Sequence, residues 1–334
     1  MPQDSSDLPP GARVLFVRLS ALGDVIFALE SVASLKAERP DVLIDFLVED
    51  RFAEVLRDQQ GIDTVLQSPR RRKLQLPGFL WRLRRRRYDA VLDLHGILKS
   101  ALHVWMTRAP LKLGYTAPGA REGASLVYNR KVPLPSPLPH RAERGYYLLQ
   151  ALGLRGARHA PLLLGGDDFD TAQRRGVILH PGSSAFAAFK RWPLDKFAEL
   201  ARRLTERGLP VSVSFGPGEE GLAETLRRAV PAVVPIDGRG LGLLGLARQI
   251  QRAQVLVAAD TGPLHIAAAV GTPVVALFGP KDAELYGPRG MQQRVVTHDV
   301  PCRPCRRRRC ASPQCILGVP VDRVEASVQE LCSG

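Results

Sequence analysis

The chain alternates short apolar, β-branched runs with longer stretches in which apolar residues recur every three or four positions. Residues 13–19, 42–48 and 89–94 are predicted strands, and a predicted helix after the first of them ends at Pro40. The apolar face of that helix carries Val25, Ala28, Leu29, Val32 and Leu35. Strands alternating with helices of this length predict an α/β fold with a parallel sheet covered on both faces.

The same alternation restarts after an interval rich in proline and glycine. Its predicted strands are residues 176–179, 211–215, 255–259 and 273–278; its predicted helices are residues 194–207, 219–229, 263–270 and 321–331. We therefore predict two Rossmann-like domains, residues 1–166 and 167–316, and a C-terminal segment, residues 317–334. Ligands of such sheets bind beyond the carboxyl ends of the strands, so the loops there are the places to look for chemistry.

The length of 334 residues, with 45% hydrophobic and 24% charged residues, is typical of a two-domain globular chain and excludes a disordered polymer. No apolar run approaches the roughly 18 residues of a membrane span. The first residues, MPQDSSDLPPG, lack the basic start and apolar core of a signal peptide. We expect a cytoplasmic protein.

The net charge of +14 indicates an anionic partner such as nucleic acid, a phosphorylated lipid or a membrane surface. Residues 70–87 hold nine basic side chains and no acid, interspersed with Leu74, Phe79 and Trp81. Such a mixture is attracted to an anionic lipid surface. A solvated helix face is the alternative interpretation.

Four of the five cysteines lie close together, at Cys302, Cys305, Cys310 and Cys315. Their spacing is compact enough for a structural zinc site or an iron–sulfur cluster, and the adjacent arginines favour thiolates. Reduced, unligated thiols are the alternative. Without a nearby histidine or carboxylate, any metal here is expected to be structural.

The loop after the first predicted strand contains Gly23 and Asp24, and Asp24 falls at the start of the following helix. A carboxylate there interacts favourably with free N–H groups and the helix dipole. It is also placed to act as a general base at the mouth of the sheet. The loop lacks the Gly-x-Gly-x-x-Gly pattern of dinucleotide-binding proteins.

Two loops of the second half carry groups suited to a nucleotide. The sequence HPGSS, with Ser183 and Ser184, precedes Lys190, and hydroxyls, turn amides and a lysine suit a phosphate or diphosphate. In the loop after residues 211–215, Glu220 is a candidate acceptor of hydrogen bonds from a ribose or base. A first-turn helix acid is the alternative role of Glu220.

A fourth loop follows the very apolar run at residues 255–259. It contains Asp260, Thr261 and Gly262, and leads directly into an apolar helix that carries His265 one turn later. Amides at that helix start can hold an anion. A lone histidine in an apolar helix is usually a core residue, but this one follows Asp-Thr-Gly and is expected to face the ligand.

These motifs, in this order, resemble the bacterial family 9 glycosyltransferases, the ADP-heptose:lipopolysaccharide heptosyltransferases. The resemblance rests on RLSALGDVIFALESVASLK, on HPGSS with KRWP downstream, and on ADTGPLHIAAAVGTPVVALFGP. Between residues 89 and 144, YDAVLDLHGILKSA, the pair Arg121-Glu122, LVYNRKV and HRAER are most similar to the heptosyltransferase I branch.

The resemblance implies a GT-B fold, with two Rossmann-like domains facing a cleft and the last helix crossing back to the N-terminal domain. It implies an inverting transfer of heptose from ADP-heptose to Kdo-lipid A at the inner face of the cytoplasmic membrane, without a cofactor required for catalysis. Asp24 would be the base, and Lys99 and Arg121 would lie on the acceptor side. The implied donor-site positions are Ser183, Ser184, Lys190, Glu220, Asp260, Thr261, Gly262 and His265.

Two departures from the family pattern stand out. The interval from Ser184 to Lys190 is longer by one or two residues, and Pro263 replaces a larger apolar residue. Two other functions were weighed: a basic nucleic-acid-binding protein with a cysteine metal site, and a GT-B sugar-nucleotide epimerase. The sequence lacks the common nucleic-acid-binding motifs, and an epimerase would convert the donor without an acceptor.

Overall fold

The computed structural model describes residues 7–70, 72–155, 169–183, 185–305, 307 and 310–333. The chain divides into two compact units, Met1–Leu163 and Leu164–Gly334. The predicted boundary between residues 166 and 167 lies outside the described residues. Each unit contains one six-stranded parallel sheet, as the alternation of strands and helices predicted.

The sheet of the first unit has the strand order β3-β2-β1-β4-β5-β6. Its central strands are almost completely buried, because helices cover a parallel sheet on both faces. The predicted strands at residues 13–19, 42–48 and 89–94 are confirmed as β1, β2 and β4. The strands are β1 (Arg13–Val17), β2 (Leu43–Glu49), β3 (Thr64–Ser68), β4 (Ala90–Asp93), β5 (Leu111–Tyr115) and β6 (Arg130–Val132).

Four helices accompany this sheet, joined by short 3-10 turns. They are α1 (Leu22–Glu38), α2 (Leu76–Arg85), α3 (Leu98–Met106) and α4 (Arg144–Gln150). Helix α1 buries the apolar face predicted for it and ends two residues before Pro40. Helix α2 lies within the basic segment, where only Phe79 and Leu83 are buried and the remaining side chains face outward wholly or in part.

The second unit repeats this design with the strand order β12-β11-β10-β7-β8-β9. The strands are β7 (Val177–His180), β8 (Val211–Phe215), β9 (Val234–Asp237), β10 (Val255–Ala259), β11 (Val274–Phe278) and β12 (Gln293–Thr297). The helices are α5 (Leu194–Glu206), α6 (Glu220–Ala229), α7 (Gly238–Gln251), α8 (Gly262–Ala269), α9 (Ala283–Tyr286), α10 (Gln314–Leu317) and α11 (Val321–Ser333). All four strands and four helices predicted for this half are present.

Helix α11 packs on α5 and on β10, β11 and β12. Its Val324 and Val328 are fully buried in the core of the second unit. The predicted crossing of this helix to the first unit stays a prediction. The segment before α11 is held by Lys196 of α5 and by Trp192, two residues before that helix. Trp192 Nε1 donates to the Val319 carbonyl at 3.0 Å, and Lys196 Nζ donates to the same oxygen at 2.9 Å.

None of the helices in the described part of the chain combines the length and the apolar character needed to cross a membrane.

Candidate functional site

Asp24 lies in the first turn of α1, beyond the carboxyl end of β1. Its carboxylate forms an ion pair with Arg18 and lies 3.9 Å from Arg141 Nε. It also accepts a hydrogen bond from the Ala21 backbone amide at 3.4 Å, so the helix-capping role weighed from sequence is present too. The side chain is 24% exposed, so it remains open to a ligand.

Two arginines control the charge of Asp24. Burial alone would raise the pKa of Asp24, but Arg18 and then Arg141 outweigh it and hold that pKa well below its usual range. The Arg18 side chain is 5% exposed and also donates to the Leu94 carbonyl at 2.6 Å. Asp24 is therefore ionised at neutral pH, the state that a general base requires.

The pocket around Asp24 contains polar atoms that the protein itself leaves unsatisfied. It is lined by Arg18, Asp24, His95, Tyr115, Arg141 and Arg144, together with apolar and backbone groups. Among the described residues, His95 Nδ1 and the Tyr115 hydroxyl are buried and have no hydrogen-bond partner. Buried polar groups are nearly always hydrogen-bonded, so these two atoms indicate a polar ligand that completes the pocket.

The protonation states of these two groups follow from their surroundings. Burial, and then the charge of Arg18, lower the pKa of His95 to about 2, so its imidazole is neutral at physiological pH. Burial raises the pKa of Tyr115, which keeps its hydroxyl protonated. A neutral imidazole and a phenol can both donate and accept hydrogen bonds, as a sugar hydroxyl does.

The two predicted acceptor-side residues occupy different surroundings. Lys99 forms an ion pair with Glu49, whose side chain is 2% exposed and also accepts from Arg51 at 2.7 Å. Arg121 is exposed, and its backbone amide donates to the Gly96 carbonyl at 2.8 Å, next to His95. The Arg121 backbone thus lies next to the loop that carries His95 of the Asp24 pocket, whereas Lys99 pairs with Glu49, which Arg51 and Arg70 share.

In the second unit, Lys190 and Asp260 are brought together although 70 residues separate them. Lys190 Nζ donates to Asp260 Oδ2 at 2.5 Å, and His265 Nε2 lies 3.6 Å from Asp260 Oδ1. Burial alone would raise the pKa of Asp260, but His265 and Lys190 together lower it to about 2. Three predicted donor-site residues therefore form one ionic cluster.

The cluster lies at the start of α8. Thr261 is the N-cap residue of this helix and Gly262 its first residue, beyond the carboxyl end of β10. Thr261 Oγ1 donates back to the Ala259 carbonyl at 3.1 Å, which fixes the turn between strand and helix. Pro263 occupies the first turn, where a missing amide costs nothing, so this departure from the family pattern is compatible with the helix.

Ser183 is buried beside a second ion pair that the sequence did not indicate. Arg191 Nε donates to Ser183 Oγ at 3.0 Å, and an Arg191 terminal nitrogen lies 4.0 Å from Glu219 Oε1. A β-carbon at Gly182 would lie 2.1 Å from Glu219 Oε2, so only glycine permits this approach. Ser184 lies outside the described residues.

Glu220 does not join these residues in any described contact. Its side chain is 43% exposed and pairs with Arg239 at 2.9 Å. Hydrogen bonds from backbone amides lower the pKa of Glu220, as expected for an acid in the first turn of a helix. The structural role weighed for Glu220 is present, and its contact with the donor stays a prediction.

The four clustered cysteines lie in the segment between β12 and α11, with Cys315 on α10. Burial raises the pKa of Cys315, as do the neighbouring thiols of Cys302 and Cys310, so these three side chains lie within electrostatic range of one another. The Arg307 amide donates to Cys305 Sγ at 3.4 Å. No group of three or more candidate ligands is arranged around a metal position among the described residues, and the structural zinc stays a prediction.

Sequence reasoning missed several residues that the fold brings to these sites. Arg18 directly follows β1, so a charged residue at a buried strand end was a usable signal. His95, Arg141 and Arg191 lie in the motifs YDAVLDLHGILKSA, HRAER and KRWP, but their proximity to Asp24 and Ser183 could not be read from the sequence. The missed residues are Arg18, His95, Tyr115, Arg141 and Arg144 around Asp24, and Arg191 and Glu219 beside Ser183.

Comparison with known proteins is consistent with this geometry. Residues 79–316 match the model of glycosyltransferase family 9 (heptosyltransferase). The chain is 33% identical to lipopolysaccharide heptosyltransferase 1 of Pseudomonas aeruginosa over 326 residues, which cover 89% of this chain and 87% of that protein. It is 30% identical to lipopolysaccharide heptosyltransferase 1 of Escherichia coli K12, over 85% of this chain and 92% of that protein.

Solved structures give the same result. The structure of E. coli heptosyltransferase WaaC with ADP has a TM-score of 0.78 at 26% identity, covering 96% of this chain and 99% of that chain. The structure of the same enzyme with ADP-2-deoxy-2-fluoro heptose has a TM-score of 0.77 and also 26% identity, with 95% and 99% covered. The two parallel six-stranded sheets are those of a GT-B glycosyltransferase. The chain therefore belongs to glycosyltransferase family 9, the heptosyltransferases.

Proposed function

We propose that this enzyme transfers heptose from ADP-heptose to the Kdo region of Kdo-lipid A, with inversion at the anomeric carbon. The observation that carries the proposal is the Asp24 pocket, in which an ionised carboxylate is surrounded by arginines and by two unsatisfied polar atoms. Support for the sugar comes from the relatives, which are named as lipopolysaccharide heptosyltransferases, and from WaaC structures with ADP and an ADP-heptose analogue.

In this proposal Asp24 removes the proton from the acceptor hydroxyl as the hydroxyl oxygen attacks the anomeric carbon. General base catalysis of this kind typically contributes roughly 10²–10⁴-fold to the rate. The strongly lowered pKa makes Asp24 a weak base as long as Arg18 and Arg141 are its cationic partners. An acceptor carboxylate that shares these arginines would raise the basicity of Asp24, so acceptor binding and base activation would be coupled.

The second unit would hold the leaving ADP. Lys190 carries positive charge beside Asp260, and the start of α8 presents backbone amides next to it. Charge develops on the diphosphate oxygen as the glycosidic bond breaks, and fixed positive groups stabilise that charge most when they are already in place. Ser183, anchored by Arg191, would supply a further hydrogen bond to the nucleotide.

We also propose that Cys302, Cys305, Cys310 and Cys315 hold one structural metal ion. Support comes from their spacing and from the electrostatic proximity of three of the thiols. The Cys305 amide donates to the Pro280 carbonyl at 2.7 Å, just beyond the carboxyl end of β11, so the metal would brace the same edge of the sheet that carries Asp260.

The decisive experiment incubates the purified enzyme with ADP-heptose and Kdo-lipid A and measures the product by mass spectrometry. The expected result is an acceptor heavier by one heptosyl unit and an equivalent amount of ADP. A parallel reaction without acceptor tests for epimerisation, and a change in the donor there would favour a sugar-nucleotide epimerase. Failure to modify Kdo-lipid A, while another heptose acceptor is used, would refute the proposed acceptor.

A further inference from the structure

Large apolar side chains are exposed on one part of the first unit. On α3, Leu98, Leu102 and Trp105 are 62%, 38% and 60% exposed, while Ala101 and Val104 on the inner side are buried. Residues spaced by four and three positions share one face of a helix, so α3 presents an apolar stripe outward. Such a stripe normally packs against another element.

The elements on either side of α3 add to this stripe. Helix α2 packs beside α3, with the rings of Phe79 and His103 6.0 Å apart, and exposes 56% of Trp81. The 3-10 turn Ala124–Val127 also contacts α3 and exposes 83% of Leu126. We define the docking face as Trp81, Leu98, Leu102, Trp105 and Leu126.

Exposed apolar residues are concentrated here rather than scattered. Of the eleven large hydrophobic side chains that are exposed in the described part of the chain, five form the docking face, and Leu74 lies just before α2. Trp192, the third tryptophan, is 1% exposed within the second unit. Apolar residues exposed singly are common, whereas a cluster bordered by polar groups marks an interaction surface.

The charges around the docking face identify the partner. Arg82, Arg84, Arg85, Arg87 and Arg108 are exposed on α2 and just beyond the ends of α2 and α3. The Arg85 guanidinium lies 4.6 Å from the centre of the Trp81 ring. The acid Glu122 accepts from the Leu98 amide at 3.3 Å, and Glu49, which pairs with Lys99 of α3, is buried. Positive charge therefore predominates around a tryptophan-rich apolar surface.

We infer that the docking face inserts shallowly into an anionic lipid bilayer, with the surrounding arginines bound to lipid phosphates. Tryptophan favours the boundary between lipid tails and headgroups, and arginine beside it is attracted to negatively charged lipids. Nucleic acid would match the charge but would leave the leucines in water. This inference rests on the proposed function, because it adds the surface on which the lipid acceptor resides.

The position of α3 connects the docking face to the chemistry. Helix α3 begins three residues after His95, which lines the Asp24 pocket, and the Gly96 carbonyl accepts from the Arg121 amide at 2.8 Å. Docking through α3 therefore brings the loop that carries His95 near the headgroup layer. The saccharide of a lipid-anchored acceptor can then reach the pocket while its acyl chains stay in the bilayer.

The test measures cosedimentation of the full chain with vesicles of phosphatidylcholine alone or mixed with phosphatidylglycerol. We expect binding that requires the anionic lipid and weakens with salt. The double variant L102E/W105E should bind at least roughly tenfold more weakly, because two apolar side chains and favourable charge are lost. The matched control, L241E/M291E, changes exposed apolar residues of the second unit and should bind like the unmodified chain.

A second variant neutralises Arg84, Arg85 and Arg87 to Gln, and leaves Arg86 intact because it pairs with buried Asp45 at 2.9 Å. It should lose most of the salt-dependent binding. Circular dichroism and thermal unfolding report whether each variant is folded. The inference would be overturned if folded L102E/W105E bound vesicles as well as the unmodified chain does. It would also be overturned if analytical ultracentrifugation showed that the unmodified chain is a dimer and that L102E/W105E is not.

Activity assays distinguish a failure of membrane docking from a failure of heptose transfer to Kdo-lipid A. Each enzyme is assayed with Kdo-lipid A in vesicles and with a deacylated, water-soluble form of the same acceptor. We expect L102E/W105E to lose activity only on the vesicle-bound acceptor. Lack of activity of the unmodified enzyme on both acceptors refutes the proposed function, whereas equal loss on both acceptors in the folded variant refutes membrane docking.

Discussion

Lys190 Nζ lies 2.5 Å from Asp260 Oδ2, so the cation assigned to the donor diphosphate is already neutralised by a buried carboxylate. Asp260 is held in turn by His265, 3.6 Å from its other oxygen. An ion pair of this kind orients the lysine before the ligand arrives, and lowers the cost of fixing it in the complex. Because of this ion pair, a bound diphosphate would share Lys190 with Asp260.

Replacement of Lys190 with methionine should lower kcat for transfer by roughly 10²–10³-fold, the usual loss when one group that stabilises developing charge is removed. The pKa of Asp260 should rise in this variant, because Lys190, one of the two neighbours that lower it, is gone. Steady-state kinetics with ADP-heptose measure the loss. K190R, which keeps the charge, is the control, and unchanged kcat/KM in K190M would contradict the role of Lys190.

Replacement of Asp24 with asparagine should lower kcat by roughly 10²–10⁴-fold, because the amide cannot accept the proton. ADP affinity, measured by calorimetry, should not change, because the residues proposed to bind the donor belong to the second unit. Transfer by D24N at nearly the normal rate would exclude Asp24 as the base.

The pH profile should depend on Arg141. Arg141 is one of two arginines that lower the pKa of Asp24, so R141A should raise this pKa. The rate requires ionised Asp24, and the acidic limb of the kcat profile should therefore move to higher pH in R141A. An acidic limb at the same pH in both enzymes would show that another group controls it.

His95 should make the fold less stable in acid. Its folded pKa of about 2 lies below the unfolded value of 6.5, so the unfolded chain binds a proton that the folded chain does not. Stability is unaffected above pH 6.5 and falls as pH drops below it, by about 2 kcal/mol at pH 5. Urea unfolding of H95Q should show a weaker loss between pH 7 and pH 5. Equal losses in H95Q and the unmodified protein would contradict a neutral, buried His95.

The thiol cluster should bind about one metal ion per chain, as a four-thiolate site does. Elemental analysis of the purified protein should identify the metal as zinc or iron. The variants C302S and C310S should lose it. Cys332 lies on α11 outside the cluster, so C332S is the matched control. A metal-free, fully folded unmodified protein would refute the site.

The sequence predicted the central strands well because burial on both faces demands continuous apolar residues, as in VLVAA of β10. It missed β9 and β12, the edge strands of the second sheet. Their residues are largely exposed, and Pro235 lies within β9, so neither has a strong apolar pattern. Helix α7 was missed as well, because it contains four glycines and is interrupted at Gly242, where φ is +70°.

The residues of the candidate sites were also predicted only in part. Asp24, Asp260 and Lys190 were predicted because each follows a strand in a recognisable motif. The partners Arg141 and Tyr115 were not, because only folding brings residues more than 90 positions away to Asp24. Sequence patterns report what each strand end carries, such as Asp24 and the nearby Arg18, but not the distant side chains that also change its charge.

The hydrogen bond from Trp192 to the Val319 carbonyl spans 127 positions and attaches the short segment between Lys190 and α5 to a residue just before α11. The indole is buried, so without this acceptor its N–H group would cost about 1–3 kcal/mol. During synthesis, the lysine proposed to bind the nucleotide therefore gains its full support only after residue 319 has left the ribosome.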